Sequence, residues 1–419
     1  MNDKLKIISA NLSPRRPIRS SEFLRGRITT LEEAERELRY FHGTLFIFGY
    51  RGVGKTSLAR TAAQIVTQSD REHIYVACAP GARMLDFFRE IAEELLKLAL
   101  RLGVSETVST KTEINISLSP SIKASFEKKT PKIEAFDDAN AAIRVLHDLD
   151  QLIPNADSTV IVLDELEELN DDDRTDLAYL IKQLGDQEFN LKFILVGIAE
   201  NVHELIGAHE SVPRYIKEMS LKPLDAQHLM DIVSNAASHI GVSIPREILY
   251  RIAIIGNGYP HFSHLMGQAI LTEAVLSNAT DVNGDIYKKG VDRAVIDSFQ
   301  ELRISYEAAT QRGEDHYKYL VWALAHSDLV DIRIDEWIKN YYELITKYSF
   351  TRAEESKLKS AIGNLKNEPC GKIIRNTPAR YGSVEQRYRY KRFSNTLMRG
   401  HVRLQAESEG YTLGEQKGI

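Results

Sequence analysis

The first half of the chain alternates short, unbroken apolar runs with longer stretches of helical period. The runs are Thr44–Phe48, 73–79, 158–164 and 192–197, and a further short strand is expected over 218–221. Between them, 57–63, 84–101, 139–152 and 174–184 repeat apolar residues every three or four positions; Leu85, Ile91, Leu95, Leu98 and Leu100 form one such stripe. Runs that are apolar at every position, not at every second one, predict strands buried on both faces. Strands of that kind alternating with helices predict a parallel sheet layered between helices. A further amphipathic helix is expected over 31–40, and Pro223 closes the series. Residues 28–223 are therefore read as one α/β domain.

One segment breaks this rhythm. Ile114, Ile116 and Leu118 alternate with polar residues, as do Ile122, Ala124 and Phe126 after Ser119-Pro120-Ser121. Two period-2 runs about a Pro/Ser turn predict a β-hairpin insertion over 104–134. From 224 the pattern turns helical, and 224–300 is expected to form a small helical lid. Helices are expected over 317–326, 335–348 and 352–367, and strands over 372–375 and 387–393. Three helices and a two-stranded ribbon predict a winged helix-turn-helix over 301–419. Residues 1–27, with Pro14, Arg15, Arg16, Pro17 and Arg19, read as a basic arm.

Composition refines the picture in two places. The 419 residues suit two or three domains, and 43% hydrophobic content suffices for sizeable cores. The net charge of −5 is uninformative by itself, but its distribution is not. Residues 347–404 hold fourteen Lys/Arg against four acids, a net +10, leaving −15 for the rest. Such asymmetry points to a polyanion-binding module. The two cysteines, Cys78 and Cys370, support neither a disulfide framework nor a zinc site. The N-terminus lacks a signal-peptide core, and no apolar run approaches membrane-spanning length. A cytoplasmic protein with no membrane partner is expected.

The chemistry starts at Gly49-Tyr50-Arg51-Gly52-Val53-Gly54-Lys55-Thr56, a complete G-x-x-x-x-G-K-[ST] phosphate loop followed by Ser57. A buried strand leads in and a helix leads out, the context this motif requires. Its glycines allow successive N–H groups to turn onto a polyphosphate. Lys55 would reach the β- and γ-phosphates and Thr56 would hold Mg²⁺, so ATP and Mg²⁺ are the expected cofactors. The run Val160-Ile161-Val162-Leu163-Asp164-Glu165 is a second nucleotide motif. There Asp164 would serve the metal and Glu165 would polarise water. The acids after it, Glu167, Glu168 and 171–173, read as a solvated face.

With these motifs the chain resembles the AAA+ superfamily, in the branch of origin-binding initiators and STAND signalling ATPases. The resemblance covers about residues 20–300. It implies a P-loop NTPase αβα sandwich, a helical AAA+ lid and nucleotide held at the interfaces of a homo-oligomer. Phe23-Leu24-Arg25-Gly26-Arg27 looks like a motif bordering the adenine pocket, and Gly258-Tyr259-Pro260 looks like the G-x-P motif of the STAND lid. Arg214 matches the position of an arginine finger, and Asn201, or Glu200 beside it, that of a polar sensor. The lid's usual sensing arginine is absent beside Pro260, where His261 and His264 stand instead. Weak sensors imply slow, switch-like hydrolysis.

In the basic module, Leu358, Ala361, Ile362 and Leu365 predict the inward face of a recognition helix, leaving Lys357 and Lys359 outward. Arg387, Arg389 and Lys391 share one face of a strand and suit phosphates. Double-stranded DNA is the expected partner of this module. The alternative is a STAND-like signalling or defence switch, whose winged helix docks a protein partner and whose ATP-driven assembly activates it.

Overall fold

The computed structural model describes residues 1–17, 24–41, 44–67, 72–102, 107–110, 113–116, 124–127, 130–133, 135–187, 189–199, 212–377 and 389–414, with backbone alone at 107–132 and 213. They divide into two compact units. One comprises Pro17–Tyr50 and Gly54–Lys222; the other comprises Met1–Arg16, Arg51–Val53 and Pro223–Ile419.

The strands of the first unit are β1 (Thr44–Phe48), β2 (Ile74–Ala77), β3 (Thr107–Thr110), β4 (Glu113–Ile116), β5 (Ala124–Glu127), β6 (Thr130–Ile133), β7 (Val160–Asp164), β8 (Lys192–Gly197) and β9 (Lys217–Ser220). Five of them make one sheet in the order β2-β7-β8-β1-β9, and each ladder is parallel. Every residue of β1 and β7 is buried, as are five of the six in β8. That two-sided burial is the physical cause of the unbroken apolar runs. Helices Met84–Arg101, Ala139–Leu152 and Asp171–Asp186 contribute Phe88, Leu95, Leu146 and Leu180 to one continuous core with Leu163 and Leu195 of the sheet.

Side-chain oxygens tie the ends of these elements. Asp138 and Asn170 cap their helices by accepting from Ala141 N and Asp173 N. Asp150, 1% exposed, accepts from the backbone N–H groups of Asn190 and Leu191 and from the Asn190 amide, anchoring the start of β8. The acids after Asp164 are not all a solvated face. Asp173 is buried and accepts from Met84 N at 2.7 Å, and Glu167 accepts from Ile198 N at 2.8 Å, just beyond β8.

The 104–134 insertion pairs differently from expectation. Among the described residues, β4 pairs antiparallel with β3, and β5 with β6, as two separate ladders, and no ladder joins β4 to β5. Only two residues separate the strands of each pair, whereas seven separate β4 from β5. Short closures cost less chain entropy and set the pairing.

In the second unit, helix Asn2–Asn11 lies within the stretch expected to be a basic arm. Its Ile8 and the following Leu12 are buried, and Leu12 touches the site of Gly267 on helix Pro260–Leu276. Gln268 Nε2 donates to Leu12 O at 3.2 Å. Helices Ala226–His239, Arg246–Gly256, Pro260–Leu276 and Gly284–Asp297 make the helical bundle. Gly290 lets two of them cross closely, since a Cβ there would stand 2.5 Å from Ile270.

Helix Gln300–Thr310 runs across the expected boundary at residue 300. Then follow helix Asp315–His326, β10 (Ile332–Arg333), helix Ile334–Tyr348, helix Glu355–Asn364, β11 (Ile374–Asn376), β12 (Tyr390–Phe393) and helix Met398–Ser408. The three strands form an antiparallel sheet ordered β10-β12-β11. The first of them, with two residues, is too short to register as a period.

Arg403 binds these elements together. Its side chain is 0% exposed. It donates to the carbonyls of Ala325 (2.7 Å) and Ile254 (2.6 Å), and its guanidinium lies 2.7 Å from Asp328 Oδ1. Ala325 and Ile254 stand in the last turns of their helices, where unsatisfied carbonyls and the dipole favour a cation.

Candidate functional site

The phosphate loop starts from the C-terminal end of β1. Gly49 has φ +148°, and a Cβ there would stand 2.5 Å from the Leu221 carbonyl oxygen. Gly54, with φ +99° and ψ +22°, is the left-handed cap of helix Lys55–Val66. Other residues would be strained in both places, so the sequence folds this way only with glycine there. The turn leaves Lys55 8% exposed, its Nζ donating to Tyr50 O at 3.1 Å.

Thr56, one residue into the helix, lies beside the end of β7. Its hydroxyl donates to Asp164 Oδ2 at 2.8 Å. The two motifs, 108 residues apart in sequence, thus meet. Asp164 is 4% exposed, and its Oδ1 accepts from the Glu165 backbone N–H at 2.8 Å. Glu165 is exposed and takes a left-handed conformation, φ 61° and ψ 38°. A non-glycine residue there costs about 1–3 kcal/mol, a strain typical of functional positions.

Tyr75 is a site residue that sequence reasoning missed. Its hydroxyl donates to Asp164 Oδ2 at 3.0 Å, while Arg60 lies 4.2 Å from its ring centroid. Burial, and then the Asp164 charge, push the phenol well above its ordinary pKa, so it stays protonated. No motif marks it: it is an ordinary aromatic on a strand, and only the register of β2 against β7 reveals its reach.

Arg214 is exposed, in the 3₁₀ turn Val212–Arg214 ahead of edge strand β9. Asn201, Glu200 and Phe23 lie outside the described residues. Ser57 is half-buried in the first turn of its helix. In the other unit, Arg51 is exposed, Gly52 has φ +86° and Val53 is buried.

Pro260 is the first residue of helix Pro260–Leu276. Gly258, with φ +85°, packs so closely on Pro223 that a Cβ would meet it at 2.4 Å. His261 and His264 are packing residues. His261 Nδ1 donates to Pro14 O at 3.1 Å, and the ring stacks on Phe299 at 4.5 Å. His264 is 4% exposed. Burial lowers both pKa values to about 4.

In the basic module, Lys357 and Lys359 are exposed on helix Glu355–Asn364, and Lys359 pairs with Glu355 at 2.7 Å. Arg389 is exposed, and Arg387 lies outside the described residues. Lys391 does not face outward with them. It is 3% exposed, donates to Asn376 at 2.9 Å across the ladder, and burial lowers its pKa to about 8. Arg392, Arg399 and Arg403 are buried as well, so among the described residues four basic side chains of this stretch carry interior roles.

Comparison with known proteins follows this geometry. Residues 24–195 match the family model described as AAA ATPase domain. The chain is similar to the Walker-type ATPase PABY2304 of Pyrococcus abyssi, at TM-score 0.54 and 16% identity, over 93% of this chain and 99% of that one. It is also similar to the Aeropyrum pernix ORC2 protein (TM-score 0.48, 14% identity, 96% and 98% covered). The Aeropyrum pernix ORC1 protein in complex with DNA aligns at TM-score 0.46 and 15% identity, with 96% of each chain covered. No curated protein matches. The family match and the five-stranded parallel sheet support an AAA+ P-loop ATPase domain. Among the described residues no helix is long and apolar enough to cross a membrane.

Proposed function

We propose that this chain binds and hydrolyses ATP with Mg²⁺, assembles as a homo-oligomer with nucleotide at subunit interfaces, and grips double-stranded DNA through a basic winged helix-turn-helix. The observation that carries the nucleotide reading is the 2.8 Å bond from Thr56 to Asp164, formed beside a glycine loop in positive-φ conformations. A hydroxyl and a carboxylate are hard oxygen donors of the kind Mg²⁺ takes together with phosphates. Bound there, the metal would neutralise charge on the phosphates. Loop amides and Lys55 would hold the phosphates, and Thr56 and Asp164 the metal. Glu165 would orient and polarise the attacking water.

Arg214, exposed ahead of an edge strand, would reach the nucleotide of a neighbouring subunit. Asn201 would sense the γ-phosphate. The proposed organisation is an arm (1–27), an ATPase core (28–223), a helical lid (224–300) and a winged helix (301–419). In the last, the helix–strand–helix–helix–strand–strand order and an antiparallel three-stranded sheet support the assignment. Lys357, Lys359 and Arg389 would carry phosphate contacts, with Arg387 beside them; Lys391 is set aside by its burial.

The test is anisotropy of a labelled duplex, with and without ATP, at two salt concentrations. Salt-sensitive binding that tightens with ATP is expected. No binding under any nucleotide would remove DNA from the account. The second reading, a STAND-like switch acting on a protein partner, is favoured by Gly258-Tyr259-Pro260 and by a histidine following it where a sensing arginine would stand. ATP turnover stimulated by a protein and not by DNA would select it.

A further inference from the structure

Asp164 Oδ2 accepts two hydroxyls, and only one of them belongs to the nucleotide motifs. Thr56 approaches from the helix at 2.8 Å and Tyr75 from the neighbouring strand at 3.0 Å. In the β2–β7 ladder Ala77 stands opposite Asp164. Tyr75 lies two residues earlier, hence on the same face. Arg60 lies four residues after Thr56, so both sit on one face of helix Lys55–Val66. From there the guanidinium covers the Tyr75 ring at 4.2 Å. A cation over the ring holds it in place and makes its hydroxyl a better donor.

We propose that Tyr75 is a positioning residue for the metal site, fixing the Asp164 carboxylate in the orientation that takes Mg²⁺. This rests on the nucleotide reading above. When Thr56 turns its oxygen lone pairs to a metal, Tyr75 is the side chain that still grips Oδ2, while the Glu165 backbone N–H holds Oδ1 at 2.8 Å. With both oxygens gripped the carboxylate cannot rotate. Without the phenol it would pivot on Oδ1, and the site would lose a fixed oxygen donor for the metal. Hydrogen-bond partners of this kind typically contribute about 10–100-fold to metal affinity.

The test is titration of mant-ATP into the full chain and its Tyr75→Phe variant, in excess EDTA and across a Mg²⁺ series. We expect equal affinity in EDTA and a roughly tenfold higher Mg²⁺ concentration for half-maximal tightening in Tyr75→Phe. Arg60→Gln keeps the phenol and should move the Mg²⁺ midpoint by less. Identical Mg²⁺ midpoints for wild type and Tyr75→Phe would overturn the proposal. So would a parallel loss in EDTA and Mg²⁺, which marks a purely structural role. Wild-type protein that binds no mant-ATP would instead overturn the nucleotide reading beneath it.

Discussion

Replacing Arg403 with methionine removes a buried cation while nearly preserving its volume. The wild-type guanidinium makes three short contacts, to Ala325 O, Ile254 O and Asp328 Oδ1, and longer ones to Asn257, His326 and Ser327. Hydrogen bonds from a charged donor contribute about 1.5–3 kcal/mol each, so the three short ones sum to roughly 4–9 kcal/mol. Methionine recovers part through apolar packing but leaves helix-end carbonyls without donors. Asp328, 37% exposed, can turn to water, so about 4 kcal/mol, the low end of that sum, is the expected net loss. At roughly 2 kcal/mol per molar urea, the midpoint falls by about 2 M. The assay has a built-in reporter. The chain's two tryptophans, Trp322 and Trp337, are both fully buried in this same unit, so their fluorescence follows its unfolding. Arg403→Lys keeps the charge without the fork and should fall between the two. A loss below about 1 kcal/mol would refute the claim that this guanidinium holds the bundle and the C-terminal elements together.

The same fluorescence tests the buried histidines. Burial lowers His261 and His264 to about 4 and His401 to about 3, so the unfolded chain takes protons first as pH falls. Stability is therefore full above pH 6.5 and declines from there toward pH 4, by up to about 1.4 kcal/mol per pH unit per histidine. A urea midpoint that is flat between pH 7 and 4.5 would contradict this. Glu165→Gln should bind ATP normally and hydrolyse it at least 100-fold more slowly, as loss of a general base implies; undiminished phosphate release would move that role to another residue. Arg214→Ala should lower turnover roughly 10³-fold without weakening nucleotide binding. If wild-type turnover per subunit is the same in dilute and concentrated protein, the finger has no partner to act on.

Much of the fold was legible because burial leaves a local trace. Strands covered on both faces must be apolar through their middles, and β1, β7 and β8 are, with polar residues only at an end (Thr44, Asp164, Lys192). The phosphate loop was legible because glycine is forced at Gly49 and Gly54 by backbone geometry. The rest was hidden because it depends on what lies across space. Tyr75 becomes a site residue only through the register of β2. Lys391 and Arg403 count as surface charge in a sequence and lie in the interior of the fold. Helix Asn2–Asn11 was obscured by the basic residues just after it, although Ile8 and Leu12 carry its spacing. The hairpin pairing failed because alternation names strands without naming partners, and closure length decided between them.

The measurement that bears most directly on the central claim is calorimetric titration of ATP with Mg²⁺ into the wild-type chain and Lys55→Ala. Wild-type binding at micromolar concentration, abolished or weakened at least 100-fold in Lys55→Ala while the urea midpoint is unchanged, is the expected result. Equal binding by the two proteins would contradict the assignment of this loop as the nucleotide site.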